Sequence, residues 1–210
     1  MIREAVKSDI EALARIHSDS LPHSLLPRLG EKFLKNKFYP MVVNSENTLL
    51  LVKELEGKVV GFALFVYDSQ RLEKEIMKHK ASLGIAAIKR GFSDYRIFSA
   101  AFRRLCSPEI RTDKTEEFII SSKNQIPAIS EMPELYTLAV LPGFRNKGIG
   151  TELTLKGLSV LQENNKSPCI VKSASHIAYS FFQKLGFKNI GKEIRGQNDR
   201  SLMIFKKEKI

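Results

Sequence analysis

The chain has 210 residues, 43% of them apolar, with 34 Lys and Arg against 23 Asp and Glu, so its net charge is +11 and its pI about 9.6. That suffices for one soluble domain, or one domain with an insertion, to bury a real core. A charged fraction of 27% with thirteen Phe excludes disorder, and two Cys exclude a disulfide scaffold. The longest apolar stretch, Val59 to Tyr67 read through Gly61, is far short of the roughly 18 residues of a membrane span. Met1-Ile2-Arg3-Glu4-Ala5 lacks a signal-peptide start, and Glu4, Asp9 and Glu11 argue against a transit peptide, so the expected compartment is the cytoplasm. Cys106 and Cys169 have neither a C-x-x-C partner nor a His at metal spacing, and both read as reduced, buried thiols with no metal site expected.

Ile2 to Val6 reads as a short strand. Ser8-Asp9-Ile10-Glu11 then offers an N-cap with acidic residues in the first turn of an amphipathic helix reaching His17 to Ser20. Leu21-Pro22-His23-Ser24 breaks it, and Phe33, Leu34, Phe38 and Tyr39 set a second helix over Leu29 to Tyr39, closed by Pro40. Thr48 to Leu55 and Lys58 to Tyr67 predict two antiparallel strands joined at Glu56-Gly57. Leu135 to Val140 predicts a strand, followed by a Pro-Gly turn and a helix from about Gly148 to Asn164. Cys169 to Lys172 reads as strand and Ser175 to Leu185 as helix. Phe187 to Ile194 and Ser201 to Lys207 form a last strand pair around Gly196-Gln197-Asn198-Asp199. The order is mixed α/β.

Asp68 to Glu134 is too long for a structureless loop, so an inserted, mainly helical segment is expected over about 68–130. Arg71 to Arg111 holds ten basic and four acidic residues, net +6. Phe92, Tyr95, Phe98, Phe102 and Leu105 recur at three and four and share one helical face. Three readings stand open: a basic-faced helix packed on the core, peripheral contact with an anionic membrane through 71–111, or contact with an acidic substrate or partner.

Leu135 to Leu153 carries the chemistry, because a strand runs through a basic, Gly-bearing turn straight into a helix. That geometry binds phosphates: glycines admit close backbone approach, successive N–H groups turn inward, and the helix N-terminus adds unpaired donors and partial positive charge. A P-loop is excluded, since Gly150 is followed by Thr151-Glu152 rather than Lys and Ser or Thr. A dinucleotide fingerprint is excluded too, with Leu153 at the third small position and Ile170 where an acid belongs.

What fits is R-x-x-G-x-G, as Arg145-Asn146-Lys147-Gly148-Ile149-Gly150, preceded by Leu138-Ala139-Val140-Leu141-Pro142-Gly143-Phe144. This closely resembles the acyl-CoA signature of the GNAT acetyltransferase superfamily. A second block, Ala178-Tyr179-Ser180-Phe181-Phe182-Gln183-Lys184-Leu185-Gly186-Phe187, resembles the family's A-x-x-F-Y-x-K-x-G-F at the expected distance. The resemblance covers roughly two thirds of the chain and leaves the insertion out. It implies a single α/β (α+β) domain over 1–210. Its central sheet would be mixed, mostly antiparallel and six- to seven-stranded, splayed between strands 4 and 5, with helices on both faces and the helical insertion between strands 3 and 4.

The same resemblance implies that acetyl-CoA, as co-substrate, lies in the splay. Its pantetheine arm would run along Leu138, Ala139 and Val140, and its pyrophosphate would sit on Arg145, Asn146, Lys147, Gly148, Ile149, Gly150 and Thr151, with Ser175 and Phe182 also in contact. A backbone N–H near Ala139 or Val140 would stabilise the oxyanion. An acceptor amine with a pKa near 10 must lose a proton before attack, and Glu134 and Tyr136, two apart on one strand face, are the candidate bases. His23 and Ser24 are secondary candidates in the loop after the first helix. Phe182 stands where the family typically carries a Tyr that protonates the leaving thiolate, and Tyr179, three residues earlier, is the candidate substitute acid.

The expected function is transfer of acetyl from acetyl-CoA to a primary amine of a small molecule by direct attack, with an amino sugar among the acceptors considered. The expected protein is a monomer or homodimer. An acyl-CoA-binding sensor or pseudoenzyme and a long-chain N-acyltransferase are the alternatives. A nucleic-acid partner is not expected, since the basic residues are scattered and no aromatic RNA-binding motif occurs.

Overall fold

The computed structural model describes residues 1–43, 45–79, 129–195 and 198–206. Two apolar runs, Thr48–Leu55 (β2) and Lys58–Val66 (β3), pair antiparallel through Glu56-Gly57, whose φ values of 49° and 73° are both positive, as a two-residue hairpin turn needs. Every β3 residue from Val59 to Val66 is buried. The strand is therefore covered on both faces: Phe62, Leu64 and Val66 enter one core, and Ala63 and Phe65 another.

Around this hairpin lies a seven-stranded sheet in the order β1-β2-β3-β4-β5-β7-β6, with β1 at Ile2–Glu4, β4 at Glu134–Val140, β5 at Cys169–Ser173, β6 at Lys188–Arg195 and β7 at Asn198–Phe205. All neighbours are antiparallel except β4 and β5. Helix α1 (Ile10–Ser20) packs Leu13, Ala14 and Ile16 on one face, joined by short helices at Leu25–Arg28 (α2), Glu31–Phe33 (α3) and Tyr39–Val43 (α4). The other face takes Leu153, Leu158 and Leu161 of a long helix at Ile149–Glu163 and Phe182 of a helix at His176–Lys184. The mixed, mostly antiparallel sheet with helices on both faces matches the expected fold. Helix α5 (Ser69–Lys78), capped by the Asp68 carboxylate accepting from the Arg71 N–H at 2.9 Å, packs Leu72 and Ile76 into the first core. We label the later helices α6 (Ile149–Glu163) and α7 (His176–Lys184).

Several local expectations are corrected. Asp9 does not cap α1 with its side chain; its carboxylate accepts from the Val6 N–H at 2.8 Å and from both Arg3 terminal nitrogens at 2.7 and 3.0 Å. Pro40 does not close the second helix. The backbone widens over Leu34–Phe38 so that the Tyr39 N–H reaches back five residues to Leu34, and Pro40 falls in the first turn of α4, where a missing N–H costs no helical bond. The last strands run closer to their turn than expected, at Lys188–Arg195 and Asn198–Phe205, with Arg195 paired opposite Asn198. The aromatic face at Phe92 to Leu105, and Cys106, lie outside the described residues.

Two irregularities shape the sheet's centre. Between β3 and β4 the register steps from Phe65 opposite Leu135 to Leu64 opposite Thr137, which leaves Tyr136 as an extra, bulged residue. Leu135, Leu138 and Val140 consequently share one core, while Tyr136 and Ala139 face the other. Between β4 and β5 the parallel register holds one pair, Glu134 opposite Ile170, beside an Ile170 N–H to Pro133 carbonyl bond of 2.8 Å. Past that point the two strands diverge.

Candidate active site

The divergence opens a cleft of about 880 Å³. Its floor is β4 from Glu134 to Val140, one wall is β5 with the start of α7, the other is the end of α1, and its far end is the turn leading into α6. The backbone shows which groups of β4 face the gap. Val140's carbonyl accepts from the Ser20 hydroxyl and from Arg145 Nε, both at 3.1 Å, so it points away from β3. Ala139's carbonyl points toward β3, 3.0 Å from where a Cβ on Gly61 would stand. In an antiparallel strand the N–H and C=O of one residue project to the same side. The N–H groups of Val140 and Leu138 therefore face the cleft, and that of Ala139 faces β3.

At the cleft's far end, Pro142–Phe144 forms a tight helical turn, Asn146 adopts φ 60° and Gly148 φ 78°. Nothing lies within 4 Å of a Cβ built on Gly148, but its backbone conformation suits glycine. This brings α6 in with its first N–H groups, those of Ile149, Gly150 and Thr151, beyond the reach of any intrahelical acceptor and beside the cleft. The turn is an anion cradle by construction: consecutive donors, a helix's positive end and open space. Gly150 leaves its flank to Phe181 and Leu138, 3.5 and 3.7 Å from a would-be Cβ.

The cleft gathers most of the residues singled out by sequence. Leu138, Ala139, Val140, Arg145, Asn146, Gly148, Ile149, Gly150, Thr151, Ser175 and Phe182 all line it, as do Glu134, Tyr136 and Ser24. Three named residues do not. Lys147 lies outside, its ammonium 5.3 Å from the centre of the Phe144 ring. His23 is not among the lining residues. Tyr179 lines a separate dent of about 400 Å³ with Ser173, His176, Asn189 and Ser201. Three residues along a helix is 300° of rotation, and that offset carries its hydroxyl off the face that Ala178, Phe181 and Phe182 present to the cleft.

Local contacts fix what each group can do. Ser175 caps α7 by accepting from the Ala178 N–H at 3.2 Å. Phe182 is 6% exposed and packs edge-on against Phe181 and Phe187 at 5.1 and 5.4 Å between ring centres, a purely apolar wall. Glu134, 4% exposed, is ion-paired with Lys172 of β5 at 2.9 Å, a bond across the divergence itself. Arg145, expected to face phosphate, spends Nε on the Val140 carbonyl and a terminal nitrogen on the Ser20 carbonyl at 3.2 Å, tying the turn to the end of α1. Burial pushes the Cys169 thiol far up, which leaves an inert sulfur.

Sequence reading missed His17, Lys172 and Arg200, which also line the cleft. His17 is buried beside Phe38, Tyr39 and Phe62, with Nδ1 2.9 Å from the Tyr39 hydroxyl, and burial pulls its pKa down to about 4. Among the described residues no cluster of His, Cys, Asp or Glu could hold a metal ion, and no helix is long and apolar enough to cross a membrane.

Comparison with known proteins places this geometry. The family model described as "Acetyltransferase (GNAT) domain" matches residues 108–202. The uncharacterized N-acetyltransferase CT2212 of Chlorobaculum tepidum is 40% identical over 63 residues, which make up 30% of this chain and 39% of that protein. The chain thus matches about two fifths of that relative's length. Among solved structures, one described as an acetyltransferase is 21% identical, with 97% of both chains covered and a TM-score of 0.59. The PaiA N-acetyltransferase of Thermoplasma acidophilum, in complex with coenzyme A, is 16% identical, with 97% and 96% covered and a TM-score of 0.56. At these identities the structures show a shared fold.

Proposed function

From a chain that carries a GNAT acetyltransferase domain in a GNAT fold, we propose an N-acetyltransferase that passes acetyl from acetyl-CoA to a primary amine of a small molecule. One observation carries the reading: the divergence of β4 from β5 and the donor-rich turn at Gly148 open into the same cleft of about 880 Å³. The separation suits a ligand with an extended amide-bearing arm and a diphosphate. Bound there, acetyl-CoA supplies an acetyl group activated as a thioester.

The chain's own groups then divide the work. Val140's N–H, unused by β3 and nearer the Gly148 turn, pairs with the arm as a neighbouring strand would. Leu138's N–H, one step farther from the turn and likewise unused by β3, is the donor for the thioester oxygen. A preorganised donor of this kind contributes about 3 kcal/mol where negative charge develops. The amine nitrogen bonds to the carbonyl carbon, the carbon–sulfur bond breaks, and the amine proton goes to a base. Glu134 and Tyr136 line the floor where that amine arrives. Phe182 offers no proton, so the sulfur leaves as thiolate, tolerable for a thiol of pKa about 8.5.

Calorimetry with acetyl-CoA and an amine-dependent assay of free thiol test the proposal together. Wild type should bind acetyl-CoA, and Gly148→Asp, which adds a negative charge and a side chain at φ 78°, should weaken binding at least tenfold. Equal binding by the variant, or none by wild type, overturns the reading. Binding without thiol release for any amine would leave an acyl-CoA sensor, and a preference for a long-chain thioester would change the donor.

A further inference from the structure

Lys172 is a primary amine built into the cleft, and the transfer described above gives it no task. It lies on β5 two residues past Ile170, which pairs with Glu134 where the two strands begin to part. Along parallel strands it therefore stands level with Tyr136, about 7 Å beyond that pair and about 7 Å short of the level of Leu138. Val171 points into the core beneath α6 and α7, so alternation turns Lys172 to the opposite face, the one Tyr136 and Ala139 share. Its side chain lines the cleft, is 11% exposed, and holds Nζ 2.9 Å from Oε2 of Glu134, a side chain 5% exposed.

The parts of a transfer reaction meet at this point. With the thioester oxygen on the Leu138 N–H, the thioester carbon lies in the stretch of cleft that the four-carbon stem of Lys172 crosses. Glu134 is a carboxylate already in contact with the ammonium, whose proton must leave before the nitrogen can attack. A nucleophile held beside its target reacts as though present at an effective concentration that reaches about 10⁵ M when well oriented. A surface lysine meets acetyl-CoA only at its concentration in solution.

We propose that Lys172 is a site of self-acetylation: with acetyl-CoA bound and no acceptor amine in the cleft, its Nζ takes the acetyl group. This rests on the acetyltransferase reading, which supplies the donor. The ammonium passes one proton to the Glu134 carboxylate, the freed lone pair bonds to the thioester carbonyl carbon, and the carbon–sulfur bond breaks with its electron pair on sulfur. The nitrogen's second proton goes to water as the amide forms, leaving N-acetyl-lysine and the thiolate of CoA. The product is neutral, so Glu134 loses the cation that bridges the seam.

The wild-type protein is titrated calorimetrically with acetyl-CoA, incubated with it, and digested for peptide mass spectrometry. One acetyl group per chain should appear on Lys172, at least tenfold faster than on the exposed Lys58, Lys156 and Lys184, and at a rate constant independent of protein concentration, as an intramolecular step requires. Acetyl phosphate, an acetyl donor without the CoA handle, should give Lys172 no such lead. Glu134→Gln should slow the reaction at least tenfold, and Lys172→Arg, which keeps a cation beside Glu134, should gain no rapid acetyl group. If acetyl-CoA binds and Lys172 is acetylated no faster than the exposed lysines, or shows the same lead with acetyl phosphate, the self-acetylation site is overturned while the acetyltransferase reading stands. If acetyl-CoA does not bind, both fall.

Discussion

His17 sits in the last turn of α1, 2% exposed, between three aromatic rings. The Tyr39 hydroxyl is fully buried, burial raises its pKa well above the ordinary value, and its partner is His17 Nδ1 at 2.9 Å. With the hydroxyl as donor to Nδ1, the neutral imidazole carries its proton on Nε2. Burial lowers the His17 pKa from 6.5 to about 4, so the folded protein resists a proton that the unfolded chain accepts. The sign follows: stability is full above pH 6.5 and falls as pH drops from 6.5 toward 4, by about 1.4 kcal/mol per unit and roughly 3 kcal/mol in all. His17→Gln should lose that slope in denaturant melts between pH 7 and 4, although it is less stable at neutral pH. A variant slope equal to wild type would show that His17 is not the group. Neither His17 nor Arg200 stood out in the sequence, because helix or strand periodicity marks a face and not what the tertiary fold brings to it. Arg145 was legible as part of a motif, yet its side chain donates to two carbonyls that only the fold places beside it.

At the scale of elements, α6 does two jobs that constrain it from opposite ends. Its N-terminus must open on the cleft, so it begins at Gly148 in a left-handed conformation, while its middle must lie flat on β3. Gly157 is where it does: a Cβ there would stand 2.0 Å from Cε2 of Phe65, a fully buried ring at the centre of its core. Gly157→Ala raises helix propensity by about 1 kcal/mol, but the clash with a ring that has nowhere to go outweighs it, with overpacking costing typically 1–3 kcal/mol and more where the backbone must shift. Chemical denaturation should show Gly157→Ala destabilised by at least about 1 kcal/mol. Gly143→Ala, with nothing within 4 Å, should stay within about 0.5 kcal/mol of wild type. A stabilised Gly157→Ala protein would mean α6 sits farther from β3. The elements were largely legible because each rests on a local signal: the Glu56-Gly57 turn, the periodicity of α6, the Ser175 cap. The misses came where a contact distant in sequence took over, as when Arg3 claimed the Asp9 carboxylate, or where a widened turn shifted Pro40 into the start of a new helix.

For the whole molecule, the β4–β5 seam divides a sheet that is continuous elsewhere. β1 to β4 form one antiparallel block and β5 to β7 another, and one register pair, Glu134 with Ile170, joins their strands. The Glu134–Lys172 ion pair bridges the same point, and the second core spans both blocks, drawing Leu135 and Phe65 from one and Val171 and Met203 from the other. That seam was legible only through family resemblance, since nothing in Leu135–Val140 or Cys169–Lys172 states that two strands will pair at one end and part at the other. Its energetic meaning is that backbone donors are left for a ligand to satisfy, so occupancy should stiffen the seam more than the rest of the sheet. At a hundredfold excess over its dissociation constant, acetyl-CoA adds about 2.7 kcal/mol to the folded state, and at about 2–4 °C per kcal/mol for a chain this size Tm should rise by roughly 5–10 °C. Hydrogen exchange should slow most at the Leu138 and Val140 amides, which face the gap, while those of β2 and β3, already paired on both sides, should slow by no more than the roughly hundredfold that the added global stability gives. Slowing at Leu138 and Val140 no greater than in β2 and β3 would show that the ligand leaves those amides unpaired, and the cleft between β4 and β5 would then not be its seat.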